Sequence, residues 1–204
     1  MNRSANTLLS ALPVIPLLVV ALSLGGCISF GAEPPPSLLT LTPDSPLAAG
    51  QTRNSATAPT ILIQQPSVPA SLATARVPVQ TSPTTIAYVK EAVWSEPPAR
   101  LFTGLLADTI GSQTGRVVFS PDQLVLDPGA RLGGELRSFG LDAATGDAVV
   151  TFDATLIRGA TPGFEKRRFE AREPVGTVTP QSTGQALNRA ANRVASDVAG
   201  WIGK

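Results

Sequence analysis

The residue best placed for chemistry in this sequence is Cys27, the only cysteine among 204 residues. It follows Leu24, Gly25 and Gly26 at the end of an apolar run that begins at Leu8. A peptidase that cuts in front of a lipidated cysteine needs small side chains beside the scissile bond, and the two glycines meet this need. The spacing predicts that the Cys27 thiol forms a thioether with diacylglycerol and that the amine freed by cleavage is acylated. The alternative, a small buried apolar side chain, does not suit this position.

Residues 1–26 are typical of a bacterial signal peptide. Arg3 and the free amine form a positive start, and the apolar run and small residues follow. The run is nearly long enough to span a bilayer, so an uncleaved membrane anchor is the alternative. Pro13 and Pro16 inside the run favour cleavage. Because each buried methylene adds about 0.8 kcal/mol to membrane binding, two or more acyl chains on Cys27 make the attachment permanent.

The residues after the cysteine indicate where the protein is held. Position 28 is Ile28, whereas an aspartate there tends to retain a lipoprotein at the inner membrane of diderm bacteria. We therefore expect a periplasm-facing protein at the outer membrane, rather than in the outer leaflet of the inner membrane. Residues 27–37 form a Pro-rich tether that includes Pro34–Pro36. In polyproline geometry, at about 3.1 Å per residue, ten residues span roughly 30 Å; a disordered spacer of no fixed length is the alternative.

The sequence has no histidine. This excludes Ser-His-Asp and Cys-His nucleophiles, histidine general bases and most zinc or copper sites. The carboxylates are scattered without the spacing of a two-carboxylate hydrolase or a calcium loop, and the chain has no GxxxxGK[ST] phosphate loop. A net charge of +1 argues against nucleic acid as a partner. We expect a non-catalytic protein with no cofactor and no resident metal.

The elements after the tether predict one α+β domain over residues 38–204. Short strands are predicted at 38–41, 61–63, 76–79, 85–89 and 116–120. From Arg131 to Arg172 the pattern predicts a three-strand meander. In its middle strand, apolar residues from Ala148 to Leu156 alternate with polar ones, so one face is buried and the other meets water or a partner. We expect a mixed β-sheet with two main helices packed on one face.

Two segments predict those helices. The first follows Trp94, with Ser95 as its expected N-cap and an end near Gly111. The second begins at Thr179 and carries an apolar stripe as far as Trp201, which we expect to be a core residue. Since a single lipidated cysteine leaves no intrachain disulfide, packing of the helices on the sheet must hold the domain together.

Two features of the meander predict more than packing. Gly133–Gly134 indicates a bulge or a close backbone approach. The basic residues 166–168 and Arg172 form the densest cationic cluster, and alternation places Lys166, Arg168 and Arg172 on one face with Glu170. The cluster is interpreted either as a contact for lipid headgroups or an acidic partner, or as an edge strand that uses charge to prevent aggregation.

Several weak motifs, taken in their order along the mature chain, resemble the ABC-type transport auxiliary lipoproteins, the PqiC/YmbA-like family. These motifs are the lipobox at Cys27, the strand at Leu39–Leu41, Ile61–Ile63, Pro69-x-x-Leu72 leading to Val77, Glu91–Pro97 around Trp94, and the terminal helix ending at Trp201. The sequence departs from the family pattern at Val93, where an arginine is usual, and at Leu39, where an aromatic is usual. The resemblance gives Pro69, Leu72, Trp94 and Pro97 a structural or partner-facing role.

This resemblance implies a lipoprotein that works with the permease and ATPase of an inner-membrane ABC transporter and with its MCE-domain substrate-binding protein. It implies that the protein docks the MCE protein, as a monomer or a homo-oligomer, during traffic of lipids or other hydrophobic molecules across the envelope. The alternative function is a structural or assembly lipoprotein that contacts an outer-membrane protein and is not tied to a transporter. A third hypothesis is direct lipid binding in a cavity between sheet and helices.

Overall fold

A computed structural model describes residues 37–123, 128–159 and 163–203, and these residues contain seven strands and two α-helices. The strands are β1 (Thr60–Ile63), β2 (Arg76–Ser82), β3 (Thr85–Val93), β4 (Val117–Phe119), β5 (Ala130–Asp142), β6 (Asp147–Arg158) and β7 (Glu165–Pro174). The helices are α1 (Pro98–Thr114) and α2 (Pro180–Ile202), and a 3-10 turn spans Ala70–Leu72. All seven strands belong to one mixed sheet, which confirms the predicted α+β class.

The antiparallel meander β5–β6–β7 is the longest part of this sheet. β5 pairs with β6 from Ala130 to Asp142, and β6 pairs with β7 over ten residue pairs. A register shift between Leu136 and Ser138 produces a bulge in β5. Gly134 has a φ of +144°, and a Cβ added there would lie 2.1 Å from the carbonyl oxygen of Asp153. The predicted close backbone approach is therefore confirmed at Gly134.

Two short arms share the other edge of β5. β1 pairs in parallel with the start of β5, and β2 pairs in parallel with its end. β4 then joins β1, and β3 joins β2. The strand predicted at 38–41 is wrong in extent, because only Leu39 forms a bridge, with Trp94.

Aromatic rings fill the space between α1 and the sheet. Phe102 of α1 meets Phe152 and Phe139 edge-on, with ring centroids 5.4 and 6.4 Å apart. Trp94 meets Phe139 in the same way at 5.4 Å. Such pairs add roughly 0.5–1.5 kcal/mol each beyond the burial of their surface. The dense packing argues against the hypothesis of a lipid cavity here. Trp201 packs on Phe169, as expected for a core residue.

The start of α2 agrees with the sequence. Thr179 Oγ1 accepts a hydrogen bond from Ser182 N at 3.1 Å, and Ser182 Oγ accepts one from Thr179 N at 3.0 Å. The predicted N-cap is therefore confirmed, as half of a capping box.

The ends of α1 differ from the prediction. Ser95 as N-cap is wrong, because the N-cap residue is Pro97, whose ψ of 140° is extended, and the helix begins at Pro98. The predicted end near Gly111 is also wrong, since α1 continues to Thr114 and stops at Gly115, whose φ is +71°. Gly111 instead admits a neighbouring side chain, because its missing Cβ would lie 3.3 Å from a methyl of Leu47.

Candidate functional site

The chain enters the described domain beside the first turns of α2. Leu39 N donates to Val93 O at 2.8 Å, and Leu39 O accepts from Ser95 N at 2.8 Å. The Leu39 side chain lies so close to Gly184 that a Cβ on this glycine would be 2.7 Å from Leu39 Cδ2. The first residues of the domain are thereby attached to both the end of β3 and α2.

The next residues run along α2, and we call residues 39–44 the strap. Asn188 Oδ1 accepts from Thr42 N at 2.8 Å, and Asn192 Nδ2 donates to Thr42 O at 2.9 Å. Asn192 Oδ1 accepts from Asp44 N at 2.8 Å, and this side chain is only 5% exposed. The side-chain amides of Asn188 and Asn192 thus provide the strap backbone with hydrogen bonds that a neighbouring strand would otherwise supply.

The motif residue Trp94 has a structural position. It is 1% exposed, and its backbone N donates to Ala75 O at 2.7 Å. Just before it, β3 bulges between Tyr88 and Val93, and Glu91 has a φ of +60°, unlike every other non-glycine residue in the described ranges. This left-handed backbone costs roughly 1–2 kcal/mol. After this bulge, Trp94 enters the core and Pro97 is the N-cap residue of α1.

The other two motif residues form the 3-10 turn. Leu72 N donates to Pro69 O at 2.9 Å, and the Leu72 side chain is fully buried. The turn borders a groove of about 240 Å³ on the sheet face opposite the helices, which we call the central groove. Its walls include apolar atoms of Leu72, Pro78, Ile86 and Val149. Because Ile86 is 44% exposed, the central groove offers apolar surface to a partner.

Paired charges surround this apolar surface. Asp153 of β6 accepts from Arg168 Nε at 2.6 Å and from Arg137 Nε at 2.5 Å. Mainly through the hydrogen bond from Arg168, these guanidinium groups lower the pKa of Asp153 to about 2. Arg172 donates to Glu170 at 3.0 Å and to Asp142 at 3.1 Å. The hydrogen bond from Arg172 and the backbone N–H of Ala144 lower the pKa of Asp142.

The expected grouping of charges on β7 is confirmed. Lys166, Arg168, Glu170 and Arg172 alternate with residues that pack toward the helices. Arg167 lies on the helix side, with its Cζ 5.0 Å from the ring centroid of Phe169. The opposite face of the meander is therefore an ionic surface, in which most charges neutralise one another across three strands.

The described residues offer little for catalysis. Burial raises the pKa of Asp108, but this lone carboxyl lies in a mainly apolar depression beside Ile63 and Val118. Across residues 37–123, 128–159 and 163–203, no three Cys, Asp or Glu side chains are grouped to hold a metal ion. Within these same ranges, no helix has both the length and the apolar character needed to cross a membrane.

The structure divides the predicted site residues into two groups. Cys27, Leu24, Gly25 and Gly26, together with the tether up to residue 36, lie outside the described residues. Pro69 and Leu72 lie beside the central groove, whereas Trp94 and Pro97 connect the strap, β3 and α1. Sequence reasoning missed Ile86, Arg137 and Asp153. The alternation of β6 predicted that Asp153 lies on the outer face, but its partners depend on the strand register.

Comparison with known proteins identifies relatives of this fold. Residues 39–199 match the model of a family described as ABC-type transport auxiliary lipoprotein component. No curated protein is significantly similar to the chain.

Two solved structures have a similar fold. A crystal structure of a protein described as uncharacterized is 20% identical, with a TM-score of 0.62, and covers 81% of this chain and 99% of its own. A crystal structure from Xanthomonas campestris, of family DUF330, is 17% identical with a TM-score of 0.63, and covers 82% of this chain and 92% of its own. At these identities the likeness concerns the fold alone.

Proposed function

Because this chain belongs to the family of ABC-type transport auxiliary lipoprotein components, we propose that it is the non-catalytic, lipid-anchored periplasmic component of an ABC transport system with an MCE-domain protein. In this proposal it docks the MCE protein while the system moves lipids or other hydrophobic molecules across the envelope. The observation that carries the proposal is the extent of the family match, from the strap at residue 39 to residue 199 in α2.

Anchoring through Cys27 is the first part of the proposal. Cleavage before Cys27 leaves this residue at the N-terminus, with diacylglycerol on its sulfur and an acyl group on its amine. Ile28 supports retention at the outer membrane. The assay is labelling of cells with an alkyne fatty acid, followed by separation of the two membranes. We expect label on the wild-type protein in the outer-membrane fraction and none on Cys27→Ser. An unlabelled wild-type protein would refute the anchor.

The central groove is the surface proposed to contact the MCE partner. Its apolar walls, including Ile86, are bordered by Arg137 and Arg172, whose charges are already balanced by carboxylates. An apolar centre with a polar rim is the usual anatomy of a protein interface. The motif turn that ends at Leu72 borders this groove, which supports a role in recognition.

Pull-down of the mature lipoprotein in detergent tests this docking. Ile86→Lys places a charge in the groove, whereas Val178→Lys makes a similar change at another exposed residue, before α2. Because an interface hot spot contributes about 2 kcal/mol or more, and Ile86 is proposed as one, we expect recovery of the MCE protein to fall at least tenfold with Ile86→Lys only. Recovery of an outer-membrane protein without any MCE protein, in a preparation where a known MCE pair is captured, would overturn the proposal.

A further inference from the structure

A second concavity, of about 540 Å³, lies at the outer edge of the meander, on the sheet face opposite the helices. We call it the basic groove, and it is bounded by β5, β6 and β7. Three cationic side chains, Arg137, Lys166 and Arg168, and two carboxylates, Glu135 and Asp153, face this groove. The basic groove therefore has an excess of one positive charge.

The excess is centred on Lys166. Asp153 is shared between Arg137 and Arg168, whereas Lys166 forms no ion pair with any residue in the described ranges. Arg167 has no carboxylate partner in these ranges either, and its guanidinium lies over Phe169. Because the Arg167 side chain lies on the helix side, the groove itself holds one cation, Lys166, whose charge the described part of the domain does not neutralise.

The register of β6 and β7 places the polar side chains of the basic groove on the same face of the sheet. Lys166 lies opposite Thr155 on β6, and Arg168 lies opposite Asp153 two residues along. Asp153 holds the Arg168 guanidinium through two of its five N–H groups. An ammonium, a guanidinium and a hydroxyl on one face are donors that suit the oxygens of a phosphate group.

An exposed aromatic ring adjoins the basic groove. Phe164 is 65% exposed, and its ring centroid lies 5.5 Å from Lys166 Nζ. Glu165, between these two residues, is ion-paired with Arg158 at 2.8 Å. An amphipathic cation beside an exposed aromatic side chain is typical of surfaces that enter the interfacial layer of a bilayer.

We propose that the basic groove binds the phosphate of anionic lipid headgroups in a bilayer, with Phe164 entering the interfacial layer. The ring distinguishes this ligand from free phosphate, which would gain nothing from an exposed apolar side chain. The charge excess supplies the attraction, which near a membrane surface amounts to roughly a fivefold gain in affinity per cation.

The basic groove lies far from Leu39, the first residue of the strap. Next to the groove, Glu165 follows Phe164 and forms an ion pair with Arg158. Arg158 in turn donates a hydrogen bond, at 3.1 Å, to the carbonyl of Ile202 in the last turn of α2. Leu39 instead contacts Gly184, near the start of α2. At 1.5 Å per residue, these two positions on α2 are about 27 Å apart. The groove is therefore well separated from the N-terminal end of the described domain.

Vesicle clustering tests this inference without the MCE partner, so its failure is distinct from failure of docking. The mature lipoprotein is held in phosphatidylcholine vesicles, phosphatidylglycerol vesicles are added, and clustering is followed by dynamic light scattering. We expect clustering that weakens as salt rises, and none with added phosphatidylcholine vesicles. Lys166→Gln should require about fivefold more anionic lipid, and Phe164→Ser should also weaken clustering.

Lys90→Gln is the matched control, because Lys90 is an exposed lysine on β3, at the other edge of the sheet. Unchanged thermal unfolding of all three variants shows that they are folded. Absent clustering, or equal clustering by the two lysine variants, overturns the proposal. If inorganic phosphate blocks clustering and Phe164→Ser has no effect, the ligand is free phosphate and the lipid assignment is wrong. If polyglutamate binds without vesicles and loses affinity in Lys166→Gln, the partner is an acidic polypeptide.

Discussion

Replacing Gly134 with alanine should destabilise the domain severely, although it adds a single methyl group. The φ of +144° belongs to a region that is almost restricted to glycine, which costs roughly 1–3 kcal/mol for alanine. The new Cβ would also lie 2.1 Å from Asp153 O and 3.1 Å from Ala154 Cα, so β5 and β6 must separate. Such overpacking costs roughly another 1–3 kcal/mol. The expected loss is therefore about 4 kcal/mol, a large part of a typical stability of about 5–15 kcal/mol.

Urea unfolding followed by circular dichroism measures this loss. Gly104→Ala and Gly200→Ala are matched controls, because they add the same methyl on exposed faces of α1 and α2 with nothing within 4 Å. They should stabilise the protein by about 0.5–1 kcal/mol each, since glycine weakens a helix interior. If Gly134→Ala lies within about 1 kcal/mol of the wild type while both controls behave as expected, the close-approach argument is refuted.

Three further predictions concern single side chains. The pKa of Asp153 is about 2, below its ordinary 3.8, so the stabilisation from its ion pairs is present above pH 4 and lost as pH falls through 2. Allowing for screening by solvent, this stabilisation amounts to about 1 kcal/mol. Asp153→Asn should therefore remove this part of the acid dependence of the urea unfolding midpoint. Asn192→Ala removes the partner of the Thr42 carbonyl and of the Asp44 amide, so we expect a loss of about 2 kcal/mol and faster hydrogen exchange at the Asp44 amide. Thr179→Ala removes the cap of α2 and should cost about 1 kcal/mol, seen as a melting temperature lower by about 2–4 °C.

Each of these predictions has a control on the same molecule. Asp147→Asn changes a carboxylate for which the described residues provide no ion pair, so an equal effect on the acid dependence would contradict the role of Asp153. Ser196→Ala alters an exposed residue one turn further along α2 from Asn192 and should leave exchange at Asp44 unchanged. Thr177→Ala lies just outside α2, and a drop as large as that of Thr179→Ala would show that the cap is not the cause.

The features that the sequence predicted correctly are those decided by neighbouring residues. The meander, the α2 stripe and the Thr179 cap depend on alternation, helical spacing and contacts within three residues. Ser95 was assigned wrongly because Pro98 holds the preceding Pro97 in extended geometry, so the helix begins two residues later than a Ser95 cap would place it. The strand expected at residues 38–41 became a strap because its partners on α2 lie more than 140 residues away.

The candidate surfaces were predictable only in part. Alternation placed Lys166 and Arg168 on one face, but not their neighbours from other strands. Arg137 reaches Asp153 because a bulge in β5 shifts the register, and no local pattern reveals that shift. Ile86 lines the central groove because β2 pairs with the end of β5, a parallel contact between segments about sixty residues apart.

The strap determines how the domain responds to tension. If Cys27 is held in a membrane, as proposed, a pull on the tether reaches the fold first at Leu39, whose backbone bonds lie on either side of Trp94. Force is thus transmitted to a residue that packs on Phe139 in the core, and then through Asn188 and Asn192 to α2. Tension on the tether is therefore shared between the sheet and α2, the longest helix of the described residues.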